Sequence, residues 1–251
     1  MMSNVRFAEN EIGYLLNKFF PVIKKRKFYS ITIYLLFITY FSLPSFEIPL
    51  LEYSHIRITS LMEQRAIENG LFFYPKQSWV NIDKVNPNLL KSIICMEDDA
   101  FFQHKGIDWT QLDDALKLNK RKKRIVRGGS TLTMQLAKNL YLNTGRNFFR
   151  KAKEMLITFR MEKEVSKRTI LQDYINVIEW GDGVFGIKEA AKKYFNKTPA
   201  NLTLDQCARL AAVIPSPLEH APNKNTGYVL RRSSIILNRY NNVILFPNNK
   251  L

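Results

Sequence analysis

The stretch NPNLLKSIICMEDDAFFQHKG, residues 86–106, decides how the rest of the chain reads. It opens with Asn86 and Pro87, an N-cap residue followed by proline at the first helical position, which is a helix start. Apolar residues then recur at helical spacing, and Leu90, Ile93, Ile94, Glu97 and Phe101 fall on one face. At about 100° per residue, Glu97 lies within a quarter-turn of Leu90, Ile93 and Phe101, whereas Asp99 points the opposite way. The three consecutive acids are therefore not equivalent. Glu97 is aimed at the core side, Asp98 supports the helix or its surroundings, and Asp99 faces water.

These acids stand in a chain of 251 residues with 38 Lys and Arg against 22 Asp and Glu, a formal charge of +16. Such an excess favours an anionic partner: nucleic acid, a membrane surface or a phosphorylated substrate. The length suits one good-sized domain with an appendage. Cys95 and Cys207 each sit in an apolar, helix-like run and read as buried free thiols. With no CxxC, HExxH or close His/Cys cluster, a structural zinc site is not expected.

The appendage is KKRKFYSITIYLLFITYFSLPSF, residues 24–46, where four basic residues precede an uncharged stretch over 28–46. That stretch falls within the roughly 17 to 25 residues of a spanning helix. A buried core helix and a cleaved signal peptide are the alternatives, but no small-x-small cleavage site follows. The expected organisation is a cytoplasmic basic tail over 1–27, a transmembrane signal anchor over 28–46, a weakly patterned connector over 47–75, and a domain over 76–251 outside the cytoplasm.

Within the domain, KLNKRKKRIVRGG, residues 117–129, reads as a solvated loop or as a membrane-surface or phosphate contact. STLTMQLAKNLYL then begins with a hydroxyl residue that can cap a helix, and Gly-Gly-Ser at a helix start presents free N–H groups suited to a phosphate. Residues 148–164 and 167–177 read as two further amphipathic helices, and Thr203 and Gln206 stand at capping-box spacing before a helix that ends at Pro215. The fold class is mainly α, all-α in its domain. GDGVFG, residues 181–186, fits GxGxxG, but no βαβ unit surrounds it, and glycine turns closing a helical fold explain it better.

Taken in order, the motifs resemble the peptidoglycan glycosyltransferase family, family 51 of the glycosyltransferases, and in particular its monofunctional, membrane-anchored members. EDDAFFQHKG from Glu97 matches E-D-x-x-F-x-x-H-x-G, GGSTLTMQ from Gly128 matches G-G-S-T-x-T-x-Q, and RKAKE from Arg150 matches R-K-x-x-E. KRTILQDYIN and GDGVFGIKEAAKKYF follow in order, so the likeness runs from about Trp79 to Pro217. Three positions depart: Met134 where a glutamine is common, Gln172 where an acid is usual, and Asn196 where the family has glycine.

The resemblance implies a lysozyme-like, two-lobed domain that polymerises lipid II into β-1,4 glycan strands by inverting transfer and releases polyprenyl pyrophosphate. Glu97 is then the base that takes the proton of the acceptor sugar's 4-hydroxyl; a structural carboxylate paired to a lysine is the plainer alternative. Lys138, Arg146 and Lys153 contact the pyrophosphate, and Ser130 and Gln135 add hydrogen bonds to the substrate. Glu154 is a second important carboxylate, orienting basic groups or holding a divalent cation such as Mg2+ or Mn2+; an i, i+4 pair with Arg150 is its plainer reading. His104 reads as a packing and hydrogen-bonding group. The implied partners are lipid II, the growing lipid-linked glycan, the membrane through one pass and other cell-wall synthesis proteins, with no nucleic acid. The implied location is the cytoplasmic (inner) membrane with the domain on its periplasmic face.

Two rivals follow from the same residues. A lysozyme or lytic transglycosylase would share a helical fold and one active glutamate but has no pyrophosphate to bind, so the donor-side cations argue against it. A basic, membrane-tethered protein that binds nucleic acid or anionic lipid would act without Glu97. A penicillin-binding transpeptidase domain is not expected, since no SxxK occurs and few residues follow Pro217.

Overall fold

The computed structural model describes residues 25–34, 37–38, 43–55, 58–70, 77–124, 128–145 and 147–247. The chain divides into two compact units, Met1–Ser45 and Phe46–Leu251. In the first, residues 25–34 are helical, and the hydroxyls of Ser30 and Thr32 donate to the carbonyls of Arg26 and Phe28 at 3.0 and 2.9 Å. Among the described residues no helix is long and apolar enough to cross a membrane. The expected span at 28–46 and basic tail at 1–27 lie partly outside the described set.

The second unit is mainly helical. Its helices are α1 (Ser60–Glu68), α2 (Pro87–Glu97), α3 (Trp109–Lys122), α4 (Leu132–Tyr141), α5 (Phe148–Glu164), α6 (Lys167–Val177), α7 (Ile187–Phe195), α8 (Leu204–Val213) and α9 (Gly227–Arg239). Short polar side chains decide where most of them begin. Asn86, Asp108, Thr131, Asn147, Ser166 and Thr226 each accept a backbone N–H from the first turn, which would otherwise lack a partner. Thr203 and Gln206 close the expected capping box on α8.

Packing forms two groups of helices. α2 lies against α8 and α9, while α4 lies against α5, α6 and α1. Fully buried side chains such as Ile93, Leu132, Leu136, Tyr174, Trp180 and Phe185 fill the interior. Between α6 and α7, β1 (Glu179–Gly181) pairs antiparallel with β2 (Val184–Phe185), so GDGVFG is a hairpin and not the turn of a dinucleotide fold. Gly186 ends it at φ +77°, where an added Cβ would lie 2.6 Å from the Asn176 carbonyl.

Several expectations change. The helix through Phe101 stops at Glu97: Asp98 leaves helical geometry at φ −165°, ψ 74°, and Phe101 reaches the core from the turn that follows. The cap of α4 is Thr131 and not Ser130. Much of the basic run read as a loop, Lys117 to Lys122, is the last part of α3, and residues 125–127 lie outside the described set. The stretch read as a connector contains α1, whose Leu61 and Met62 are buried against Phe185.

Two of the departures fit their local surroundings. Gln172 Oε1 accepts the Ile82 N–H at 3.0 Å, a bond a carboxylate would also accept. Asn196 sits at φ 52°, ψ 42° just past α7, the left-handed position where glycine is preferred and asparagine tolerated. We expect Asn196→Gly to leave stability unchanged or slightly higher in urea denaturation, and Asn196→Val to lower it by roughly 1–2 kcal/mol.

Candidate active site

The site is assembled where the end of α2 meets the start of α4. Asp98, 1% exposed, accepts the Leu132 N–H at 2.9 Å through Oδ2 and faces His104 Nε2 at 2.8 Å through Oδ1. The Gly106 N–H donates to His104 Nδ1 at 3.1 Å, so Nδ1 is the acceptor and Nε2 carries the proton given to Asp98. Thr131 adds a 2.6 Å bond to the Gly106 carbonyl. Gly106 adopts φ +91°, and a Cβ there would stand 2.8 Å from both Thr158 and Glu162 on α5. The motif's acid, histidine and glycine thus fasten one turn between three helices. Asp99, half-exposed, pairs with Arg239 at 3.1 Å.

Glu97 comes out of this junction half-buried. Gln135 Nε2 donates to its Oε2 at 2.9 Å, and Tyr174 Oη donates to Gln135 Oε1 at 2.9 Å. Loss of hydration raises the Glu97 carboxyl above the usual range, outweighing the Gln135 bond and the positive charges of Arg232 and Lys138; Asp98 pushes the same way as burial.

Opposite stands a cluster of cations. Glu154, 2% exposed, accepts from Arg150 Nη1 at 2.6 Å and from Lys151 Nζ at 2.5 Å. Lys151 Nζ also donates to Ser130 Oγ at 2.9 Å, tying the Gly-Gly-Ser segment to α5. Lys138 is close enough to Glu154 and Glu97 to feel both. Burial lowers its ammonium, Glu154 and Glu97 offset part of that, and the charges of Arg150 and Lys151 add to it.

Of the residues singled out from sequence, Glu97, Gln135, Lys138, Glu154 and Ser130 come together. Lys153 is half-buried on α5 but outside this bonded set, and Arg146 lies outside the described residues. Each oxygen of Glu154 is bonded to one of the two neighbouring cations, which is the arrangement expected of a carboxylate that orients basic groups. Among the described residues no group of three or more His, Cys, Asp or Glu could hold a metal ion. Sequence reasoning gave no site role to Lys151, Tyr174 or Arg232. Lys151 was legible as the i, i+3 partner of Glu154; the other two act across the fold and left no local signal.

A half-buried carboxylate whose proton affinity is raised by burial, near partly buried cations on a second group of helices, is an arrangement common in enzyme sites. The chain belongs to the transglycosylase family, whose model matches residues 65–241. It is 41% identical over 170 residues to a biosynthetic peptidoglycan transglycosylase of Janthinobacterium sp. (strain Marseille), covering 68% of this chain and 74% of that one. It is 44% identical over 167 residues to one of Laribacter hongkongensis (66% and 73%), and 40% over 189 residues to one of Thiobacillus denitrificans (75% and 80%).

The two carboxylates predict opposite effects on stability. An unfolded glutamate loses its proton near pH 4.3, while folded Glu97 holds its proton to higher pH. Between those points the folded state binds more protons, so Glu97 lowers stability as pH rises. Glu97→Gln is therefore expected to be more stable than wild type at pH 7, with the gain vanishing toward pH 4. Glu154→Gln, which strips two cations of their partner, is expected to lose about 3 kcal/mol in chemical denaturation.

Proposed function

We propose that this chain polymerises lipid II into β-1,4-linked glycan strands, with Glu97 as the base. The observation that carries the reading is the placement of a desolvated, amide-tethered carboxylate beside Lys138, which in turn neighbours the Arg150–Lys151–Glu154 cluster. The acceptor sugar's 4-hydroxyl oxygen bonds to the donor anomeric carbon as its proton passes to Glu97. The bond from that carbon to the pyrophosphate breaks, and the pyrophosphate leaves with the electron pair. Attack opposite the leaving group converts the α-linked donor to a β-linkage, the logic of an inverting glycosidase with a sugar hydroxyl in place of water.

Burial makes Glu97 a better base than a solvated glutamate. Lys138, Lys153 and Arg146 meet the pyrophosphate, and their bonds strengthen as its charge grows during transfer. Lys151 and Arg150, held by Glu154, add positive charge to the same region, and Lys151 carries Ser130 with it. The relatives are named for peptidoglycan transglycosylation, which agrees with this assignment. A glycan-cleaving enzyme has no use for such a cation set.

The reaction goes with a single-pass anchor over 28–46, N-terminus in the cytoplasm and domain on the extracytoplasmic face. Ser30 and Thr32 support this, since hydroxyls bonded to their own helix need no water. Purified full-length protein incubated with lipid II in detergent is expected to give glycan polymer. Glu97→Gln should abolish it, and Lys138→Ala should lower kcat/KM by about 10²-fold. Undiminished polymer from Glu97→Gln would remove the base assignment, and no polymer from wild type would remove the function.

A further inference from the structure

We propose that Tyr174 is a positioning residue for the transfer: its hydroxyl locks the amide of Gln135 in the orientation that donates to Glu97. The inference rests on Glu97 being the base. An amide has two ends of opposite character, and only one can face a carboxylate without repulsion. Tyr174 Oη reaches Gln135 Oε1 at 2.9 Å, which turns Nε2 toward Glu97 Oε2, also at 2.9 Å. If the amide turned over, Oε1 would meet a Glu97 oxygen, and the buried phenol proton would lose its acceptor.

Three features make the lock firm. Tyr174 is wholly buried on α6, so its hydroxyl has no water to turn to. Gln135 lies one turn before Lys138 on α4, so the amide held by Tyr174 and the Lys138 ammonium share one side of that helix. Among the described residues the Gln135 bond is the one hydrogen bond that the Glu97 carboxylate receives. The other charged groups acting on Glu97 are Lys138 from α4, Arg232 from α9 and Asp98 beside it, and none of these is hydrogen-bonded to it. Tyr174 does not take the substrate proton itself. Burial, with the negative charges of Glu97 and Asp98, holds its phenol well above the usual range, so it stays a donor throughout.

The consequence is a division of labour around the base. Burial makes the carboxylate hungry for a proton, while the Tyr174–Gln135 link keeps it ionised before substrate arrives. Removing the hydroxyl releases the amide and weakens the ionised form, so the base is lost at higher pH than in wild type.

The test is the pH dependence of lipid II polymerisation by full-length Tyr174→Phe, which keeps the ring and removes one oxygen. The acid limb of kcat/KM should move to higher pH, giving about a 3- to 10-fold loss on the limb and under 2-fold loss above it, with KM within about 2-fold. Gln135→Leu should move the limb at least as far, and the double variant no further than Gln135→Leu alone. A limb coincident with wild type in Tyr174→Phe, with only a lower melting temperature, would overturn the inference. If that variant does not fold, an unmoved limb in Gln135→Leu would overturn it equally. Glu97→Gln run beside them separates the two readings: activity in that variant removes the base itself, whereas an inactive Glu97→Gln with an unmoved Tyr174→Phe limb removes only the lock.

Discussion

The arrangement depends on the carboxylate of Asp98. One oxygen accepts the first N–H of α4 and the other meets His104, which is itself held by the Gly106 N–H. These bonds end α2 at Glu97 and bring that end to the start of a helix from the other packing group. Glu97 can then reach Gln135 and the field of Lys138, which lie one and two turns along α4. A carboxylate at a helix N-terminus is also favoured by the helix dipole, so the acid that does no chemistry is the best satisfied of the three. Its neighbour Glu97 has one hydrogen bond among the described residues and is partly buried, which raises its affinity for a proton as the proposed base role requires.

The same economy governs the cations. Among the described residues most Lys and Arg are exposed, whereas Arg150, Lys151 and Lys138 are partly buried and drawn together on α4 and α5. Glu154 makes that concentration tolerable in the absence of substrate by accepting from two of them. Lys138 has the weaker compensation, and burial depresses its ammonium. In the proposed reaction an arriving pyrophosphate would supply the negative charge that Lys138 lacks, coupling donor binding to the stabilisation of the leaving group.

How much of this was legible in the sequence follows the range of each interaction. Helix starts were readable because a cap lies within three residues of the N–H it satisfies, as at Asn86 and Thr203. The facing of Glu97 followed from helical phase, and Asp99 faces water as expected even though the helix ends before it. The early end of α2 was not readable, because Asp98 is drawn away by Leu132, 34 residues on. Weak local patterning concealed α1, which is specified by burying Leu61 and Met62 against Phe185. Lys117 to Lys122 looked like a loop because a charged run carries little periodic signal, yet Asp108 starts a helix that continues through it. The Tyr174 link spans 39 residues between two helices, and neither side chain announces the other.

Whether the fold prepares Glu97 to accept a proton is read from the titration of its own carboxyl carbon. With glutamate labelled at 13Cδ in full-length protein in detergent, the Glu97 signal is identified by its loss in Glu97→Gln. Its midpoint is expected above the ordinary glutamate value of about 4.3, coincident with the acid limb of polymerisation. A midpoint at or below that value would contradict this, because the carboxylate would then be an ordinary ionised partner of the surrounding cations.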